Sequence, residues 1–447
     1  MRPRLPDPAP RLGVPALRHA LFPLLLASAV LAPMPALALT SASPEQIAAA
    51  ALKAAPVWDG HNDVPEQLRD RRHNVMGAAG QAGAFDFRDT HAEADPDGQS
   101  GGAGMQTDIA RLRQGRVGAQ FWSVYVSAAL PEPQAVQATI EQVDVMKRII
   151  ARHADTMAYC ETAACVETAF KQGRIASLLG AEGGHSIGGS LAVLRQMAGL
   201  GVRYMTLTHV RNNAWADSGT DAPAHNGLTP FGKDVVREMQ RLGVLVDLSH
   251  VSPKTMMDAL DVAGAPVIFS HSNAYAVAPH PRNVPDDVLL RLRANGGIIM
   301  VNFFPVYING DLRLWTGRRA GEEARLKALN PDRPQAVKDG MAAWTRDNPK
   351  PVATLAQVAD HIEHIIRLIG VDHVGLGGDF DGGSVGLQGL PDVSAYPALF
   401  VELARRGHSQ ADLQKLASGN MMRVLKAAET YAATHRADPP IENPTTF

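Results

Sequence analysis

Eight side chains able to bind a metal or carry a proton share one setting, each following directly on an apolar run. They are His61 and Asp63 in "VWDGHNDVP", Glu182 in "LLGAEGGHS", His209 in "YMTLTHVRNN", His250 in "VLVDLSHVS", His271 in "PVIFSHSNA", and Asp379 with Asp381 in "HVGLGGDFDG". The chain holds 16 histidines, and one histidine alone reads as a hydrogen-bonded core or surface residue. "DFDG" alone passes for an acidic turn and "HND" for a capped one. Neither reading explains four histidines and four carboxylates gathered at run ends of one polarity and scarce inside the runs. Imidazole and carboxylate suit Zn2+ in hydrolytic sites, whereas thiolate-rich sites are usually structural. One zinc needs fewer ligands than are offered. Two ions sharing a carboxylate and a hydroxide would use the set, polarising a carbonyl while generating the nucleophile.

Such a cluster needs elements that bring six run ends together. The runs span residues 57–63, 119–127, 175–184, 204–213, 244–252, 266–274, 297–305 and 373–382. Between them lie segments with helical spacing, such as "PFGKDVVREMQRLG" and "LAQVADHIEHIIRLIG", several ending in glycine as helices entering a strand do. Strand and helix alternating eight times predict a (β/α)8 TIM-type barrel, whose active site lies at the C-terminal ends of its strands. An open doubly wound sheet is the second choice, since sequence does not display closure. Two stretches break the repeat: a Gly-, Ala- and Asp-rich loop at 77–104 and a partly helical insertion at 306–350. Neither is long enough for a core of its own.

At 447 residues, 45% hydrophobic and 20% charged, the chain can bury a large core. A formal net charge of −2 gives no electrostatic case for nucleic acid or an anionic membrane, so a small-molecule partner is expected. Residues 1–38 carry Arg2, Arg4, Arg11 and Arg18 ahead of "ALFPLLLASAVLA" and close on "ALA". This is the pattern of a cleaved secretory signal, with 39–447 as a single domain that is exported, periplasmic or secreted. No lipid-anchor signal is evident, so no stable membrane anchor is expected. The two cysteines, Cys160 and Cys165, read as a short-loop disulfide or two quiet thiols, with a metal site as the lesser alternative. On a helix they would point about 140° apart, so pairing needs a non-helical turn.

The stretches "DGHNDVP", "GAEGGHS", "LTHVRNN", "DLSHVS", "VIFSHSNAY", "RNVPDDVL" and "GLGGDFDG" together resemble the membrane (renal) dipeptidase family of zinc metallopeptidases in the amidohydrolase superfamily. The resemblance runs from about residue 45 to about residue 428. It implies two Zn2+ per chain, one on His61 and Asp63, the other on His250 and His271, with Glu182 bridging both. It implies that His209 stabilises the oxyanion, that Arg282 pairs with the substrate's C-terminal carboxylate, and that Asp379 moves the proton from water to leaving amine. The implied activity is hydrolysis of dipeptides by a metal-bridging hydroxide, and a homodimer is an expectation of the same kind. Alternation along a strand puts residues 59, 61 and 63 on one side. Asp59 is then expected to support the ligands or the turn, with metal contact as the alternative. The 306–350 insertion looks longer than in the animal members, which leaves substrate range open.

Two rival chemistries are available. Other binuclear-zinc amidohydrolases, acting on N-acyl amino acids or lactams, would use the same ligands. "GHSIG" matches a serine nucleophile elbow, with Ser186 attacking, Asp379 orienting and His408 as base, but that reading leaves the other histidines idle.

Overall fold

The structure is a computed structural model, described for residues 42–91, 93, 104–383 and 386–443. The signal-sequence expectation for 1–38, and part of the 77–104 loop, lie outside the described residues. The strands in chain order are β1 (Val57–Asn62), β2 (Val117–Ser123), β3 (Met157–Tyr159), β4 (Ile175–Glu182), β5 (Val202–Thr206), β6 (Leu245–Asp247), β7 (Ile268–Phe269), β8 (Ile298–Val301) and β9 (Val374–Leu376). All pair in parallel, β2 with β4 and β1 with β9, so that β1, β2, β4, β5, β6, β7, β8 and β9 form a closed ring. This is the (β/α)8 barrel, and the open-sheet alternative falls. The eight predicted runs supply the eight strands of the ring. The ninth strand, β3, was not anticipated: it has three residues and pairs only with the first half of β4.

The strands are buried on both faces because helices cover the outside and side chains fill the inside. Trp58, Phe121, Leu178, Tyr204, Ile268, Ile298 and Met300 pack together as the barrel filling, while Val57, Leu179, Met205, Val246 and Phe269 face the helices. Tyr204 takes space in that filling that another strand must yield. A Cβ on Gly180 would stand 2.0 Å from its ring, so glycine at 180 is a condition for the tyrosine's placement. Side-chain oxygens of Thr162, Ser190, Thr229, Ser252 and Thr354 cap the helices that they precede. Gly243 and Gly296, at φ 74° and 79°, close helices in the left-handed conformation before β6 and β8.

The insertion follows β8, the seventh strand of the ring, and so leaves from the catalytic end. It consists of the short helix Pro305–Ile308 and the pair Gly310–Leu329 and Pro334–Asp347, joined by contact of Trp315 with Trp344. Cys160 and Cys165 form a disulfide across the end of β3. The non-helical turn it requires is there, because the following helix begins only at Ala163, capped by Thr162. That bond leaves no thiolate for a metal. Among the described residues no helix is long and apolar enough to cross a membrane.

Candidate functional site

The C-terminal ends of the ring converge on a cavity of about 210 Å³. Its walls include Asp63, Glu182, His209, His250, His271, Arg282 and Asp379. His61 lies fully buried beneath. Glu182 stands at the middle and presents its two oxygens to different neighbours. Oε2 is 3.4 Å from His61 Nε2, which is itself 3.3 Å from Asp63 Oδ2. Oε1 lies 2.9 Å from His250 Nε2, 3.3 Å from His271 Nε2 and 3.7 Å from His209 Nε2.

The strand ends are turned toward this centre by carboxylates and hydroxyls that never enter it. Asp59 Oδ1 accepts the amides of His61 (3.1 Å) and Gly378 (2.9 Å), while Oδ2 accepts the hydroxyl of Tyr396 (2.6 Å). The register of β1 against β2 shifts between Asp59 and Asn62. The alternation expected for 59, 61 and 63 therefore fails: the shift sends Asp59 toward the Tyr396 helix and His61 toward the barrel axis. Burial raises the Asp59 carboxyl to about 6 despite those three donors. Asp247, at the end of β6, repeats the device. Its Oδ1 accepts the amides of Ser249 (3.1 Å) and Ser270 (2.8 Å), and its Oδ2 the hydroxyls of Thr206 and Ser270. Ser218, in the long loop after β5, donates to the carbonyls of His209 and His250 and ties those two ligand loops together. His250, Asp379 and Asp381 all have left-handed backbone, with φ of 69°, 59° and 65°. Such conformations carry a cost in non-glycine residues and cluster at functional sites.

The donor set fits metal ions. The Nδ1 atoms of His61 and His271 are engaged by Tyr204 Oη and Ser270 Oγ, both at 2.8 Å, which leaves each Nε2 facing the centre. His61 Nε2 and Asp63 Oδ1 are buried without a hydrogen-bond partner, and the Nε2 atoms of His250 and His271 face one another at 2.9 Å. Burial, with Arg282 among the nearby cations, holds His250 and His271 well below the usual imidazole range, so both offer lone pairs. For His61 burial acts the same way, but Tyr204, Asp63 and Glu182 outweigh it and raise its proton affinity. Crowded lone pairs and carboxylate oxygens with few protons among them are what a cation would resolve. Three ligand groups can be drawn here: His61 with Asp63 and Glu182, Glu182 with His209 and His250, and His61 with His271 and Asp379.

The remaining expected residues are also found at the cavity. Asp379 Oδ2 accepts from Asn302 Nδ2 at 2.9 Å, and Oδ1 is 4.0 Å from His61 Nε2. Burial, partly offset by His61 and reinforced by Asp63 and Glu182, raises its carboxyl well above the usual range. Arg282 is buried, donates from Nη2 to the His271 carbonyl, and keeps Nε and Nη1 without hydrogen-bond partners. Its guanidinium lies 5.4 Å from the Tyr307 ring centre. Burial lowers His209 to about 4, leaving it a neutral imidazole at ordinary pH. Asp381 is turned away: its Oδ1 accepts from the Gln106 amide at 2.7 Å, and it anchors the loop after β9.

The serine-hydrolase alternative finds no nucleophile and base. Ser186 is fully buried in the turn Gly184–Ile187 with its hydroxyl unbonded, and the His408 ring is taken by Glu363 at 2.7 Å. The cavity also has walls that no motif announced, namely Glu66, Tyr125, Phe304 and Tyr307. Glu66 is one turn of helix beyond Asp63, and burial together with Asp63 raises its carboxyl well above the usual range. Tyr125 and Phe304 could have been suspected, standing near the ends of the runs 119–127 and 297–305.

Comparison with known proteins shows the family and the fold. Residues 45–439 match the family model described as membrane dipeptidase, peptidase family M19. A Claviceps purpurea protein named dipeptidase tcpJ is 43% identical over 343 residues, 75% of this chain and 72% of that protein. An uncharacterized dipeptidase of Schizosaccharomyces pombe is 39% identical over 415 residues, 90% of this chain and 87% of that protein. The crystal structure of a probable dipeptidase, PvdM of Pseudomonas aeruginosa, superposes with a TM-score of 0.70 at 24% identity, covering 87% of this chain and 99% of that one, and supports the fold.

Proposed function

Because the chain belongs to the membrane dipeptidase family and is a metallo-dipeptidase, we propose that it is an exported, two-zinc enzyme cleaving dipeptides with a free C-terminal carboxylate. The observation that carries the two-ion reading is Glu182, whose Oε2 faces His61 while its Oε1 faces His250 and His271. His61 and Asp63 would hold one ion, His250 and His271 the other, and Glu182 both. When bound, the ions would polarise the scissile carbonyl and lower the pKa of water toward neutrality.

The chain's own residues would do the rest. Arg282, with Nε and Nη1 unbonded, would pair with the substrate carboxylate and fix the peptide's end one residue past the scissile bond. His209, neutral above about pH 4, would donate a hydrogen bond to the carbonyl oxygen as negative charge gathers there. Asp379, held by Asn302 through Oδ2, would accept the proton of the attacking water at Oδ1 and pass it to the amine nitrogen as the C–N bond breaks. Two free amino acids would leave. Export is supported by the N-terminal pattern and by the Cys160–Cys165 bond, since disulfides persist in oxidising compartments.

Purified mature protein should hydrolyse a dipeptide panel, lose activity to a chelator and regain it with zinc. Amidating the substrate's C-terminus should cut kcat/KM roughly ten- to a hundredfold, the worth of a hydrogen bond to a charged group. Arg282→Met should impose a similar loss on the acid and little more on the amide. Chelator-resistant turnover would end the metal reading. Equal rates on acid and amide would reduce the assignment to a general metal-dependent amidohydrolase.

A further inference from the structure

Glu66 has no part in the chemistry above, yet it lines the cavity. It lies on the helix Val64–Arg72, and its side chain keeps 19% exposure on the cavity side of a buried environment. Its one cationic neighbour is shared. Arg69 donates to Glu66 Oε1 (3.0 Å), to Asp70 Oδ1 (2.8 Å) and to the Tyr125 carbonyl (2.8 Å). One guanidinium is shared between two carboxylates, so with burial and Asp63 raising the Glu66 carboxyl its ionised form is incompletely paired until a cation enters, and of the two acids Glu66 is the one at the cavity. Glu66 belongs to none of the possible ligand groups, so the ions do not account for it.

Its position in the ring gives the charge a direction. The ring order β1, β2, β4, β5, β6, β7, β8, β9 sets β1 opposite β6 and β2 opposite β7. Glu66 and Tyr125 follow β1 and β2, whereas Arg282 follows β7. The mouth thus carries an acid on one side and a buried guanidinium across from it, with the ligand cluster between. A dipeptide has the same polarity, and two extended residues span only about 7 Å. A carboxylate on Arg282 and the scissile bond over the ligands direct the substrate's first residue to the Glu66 side.

We infer that Glu66 is the cation subsite of this cavity and receives an ammonium group of the substrate's N-terminal residue, either its α-ammonium or that of a basic side chain. The inference rests on the dipeptidase reading and adds selection at the other end of the substrate. An i,i+3 pair with Arg69 that merely steadies the first turn of the helix predicts no such selection.

The test compares zinc-loaded wild type with Glu66→Gln on Ala-Ala, N-acetyl-Ala-Ala, Lys-Ala and Leu-Ala, with zinc content and melting temperature measured alongside. An α-ammonium subsite predicts that Glu66→Gln loses about ten- to a hundredfold in kcat/KM on Ala-Ala, mainly through KM, and little on the acetylated substrate. A side-chain subsite predicts that the loss is confined to Lys-Ala and spares Leu-Ala. Unchanged ratios across all four substrates, with zinc retained, overturn the inference. If Glu66→Gln fails to hold zinc, Glu66→Asp replaces it: kept charge should keep the preference for the ammonium substrate, and lost preference with intact zinc overturns the inference. A wild type that cleaves none of the four would instead overturn the dipeptidase reading.

Discussion

The two sides of the ligand cluster are built from different materials. The β1 side offers one imidazole among carboxylates, His61 with Asp63 and Asp379 close by, and its histidine is biased toward holding a proton. The β6 and β7 side offers imidazoles, His250 and His271, which burial strips of protons. Glu182 is the one ligand candidate with an oxygen on each side. The difference teaches that the two proposed ion positions would offer unlike conditions to like ions. On the acidic side a proton competes for the ligand. On the imidazole side it competes poorly.

The largest expected effect comes from removing what the sides share. Glu182→Gln should lower zinc at both positions and cost several orders of magnitude in kcat, read by metal analysis and steady-state kinetics. Full double occupancy in that variant would mean that the sides are independent. Asp379→Asn should separate proton transfer from metal holding, keeping zinc and substrate binding but losing about 10²–10⁴ in kcat. Loss of zinc instead would make Asp379 a ligand of the acidic side.

Smaller effects should sort the sides from one another. Tyr204→Phe removes the partner of His61 Nδ1 and Ser270→Ala that of His271 Nδ1. Each should weaken zinc about 10–100-fold on its own side. The sign with pH follows from the histidines. A protonated imidazole cannot ligate, and His61 is raised while His250 and His271 are lowered. As pH falls, zinc should therefore leave the acidic side first. Metal content titrated downward should fall in two steps, and the earlier step should be absent in Asp63→Asn.

The smallest effect is expected at Asp59, which holds the backbone of His61 and offers no atom to the cluster itself. Its carboxyl, ordinarily near 3.8, is raised to about 6, so its contribution to stability is present at acid pH and lost as pH rises through that range. Asp59→Asn should flatten this dependence in denaturant titrations of the zinc-free protein between pH 4 and 7, with only a modest change in kcat. A parallel pH profile in both proteins would refute the assignment.

The eight strands and the ligand candidates were legible because a barrel puts its chemistry where apolar runs stop, and polar residues there stand out against the run. The side to which Asp59 points was not legible. It depends on a register shift in β1 and on bonds to two backbone amides, one of them more than three hundred residues away in sequence. Tyr204 was hidden inside an apolar run, where its hydroxyl carries no periodic mark. Glu66 sits in a polar helix segment, "PEQLRDRR", where one more acid attracts no notice. Closure of the ring brings Glu66 to the cavity and sets Asp59 and Tyr204 behind it, and closure is a property of all the strands together.

The insertion after β8 reaches the cavity through its root, where Phe304 and Tyr307 stack on each other at 4.8 Å. Beyond that root, Gly310–Leu329 and Pro334–Asp347 pack largely against themselves, with Leu314 and Leu329 exposed. Mutation can therefore work on the two halves of this enzyme at different tempos. The helical pair can lengthen, shrink or change its surface while the strand-end residues stay fixed, and any such change would reach the cavity through two aromatic rings.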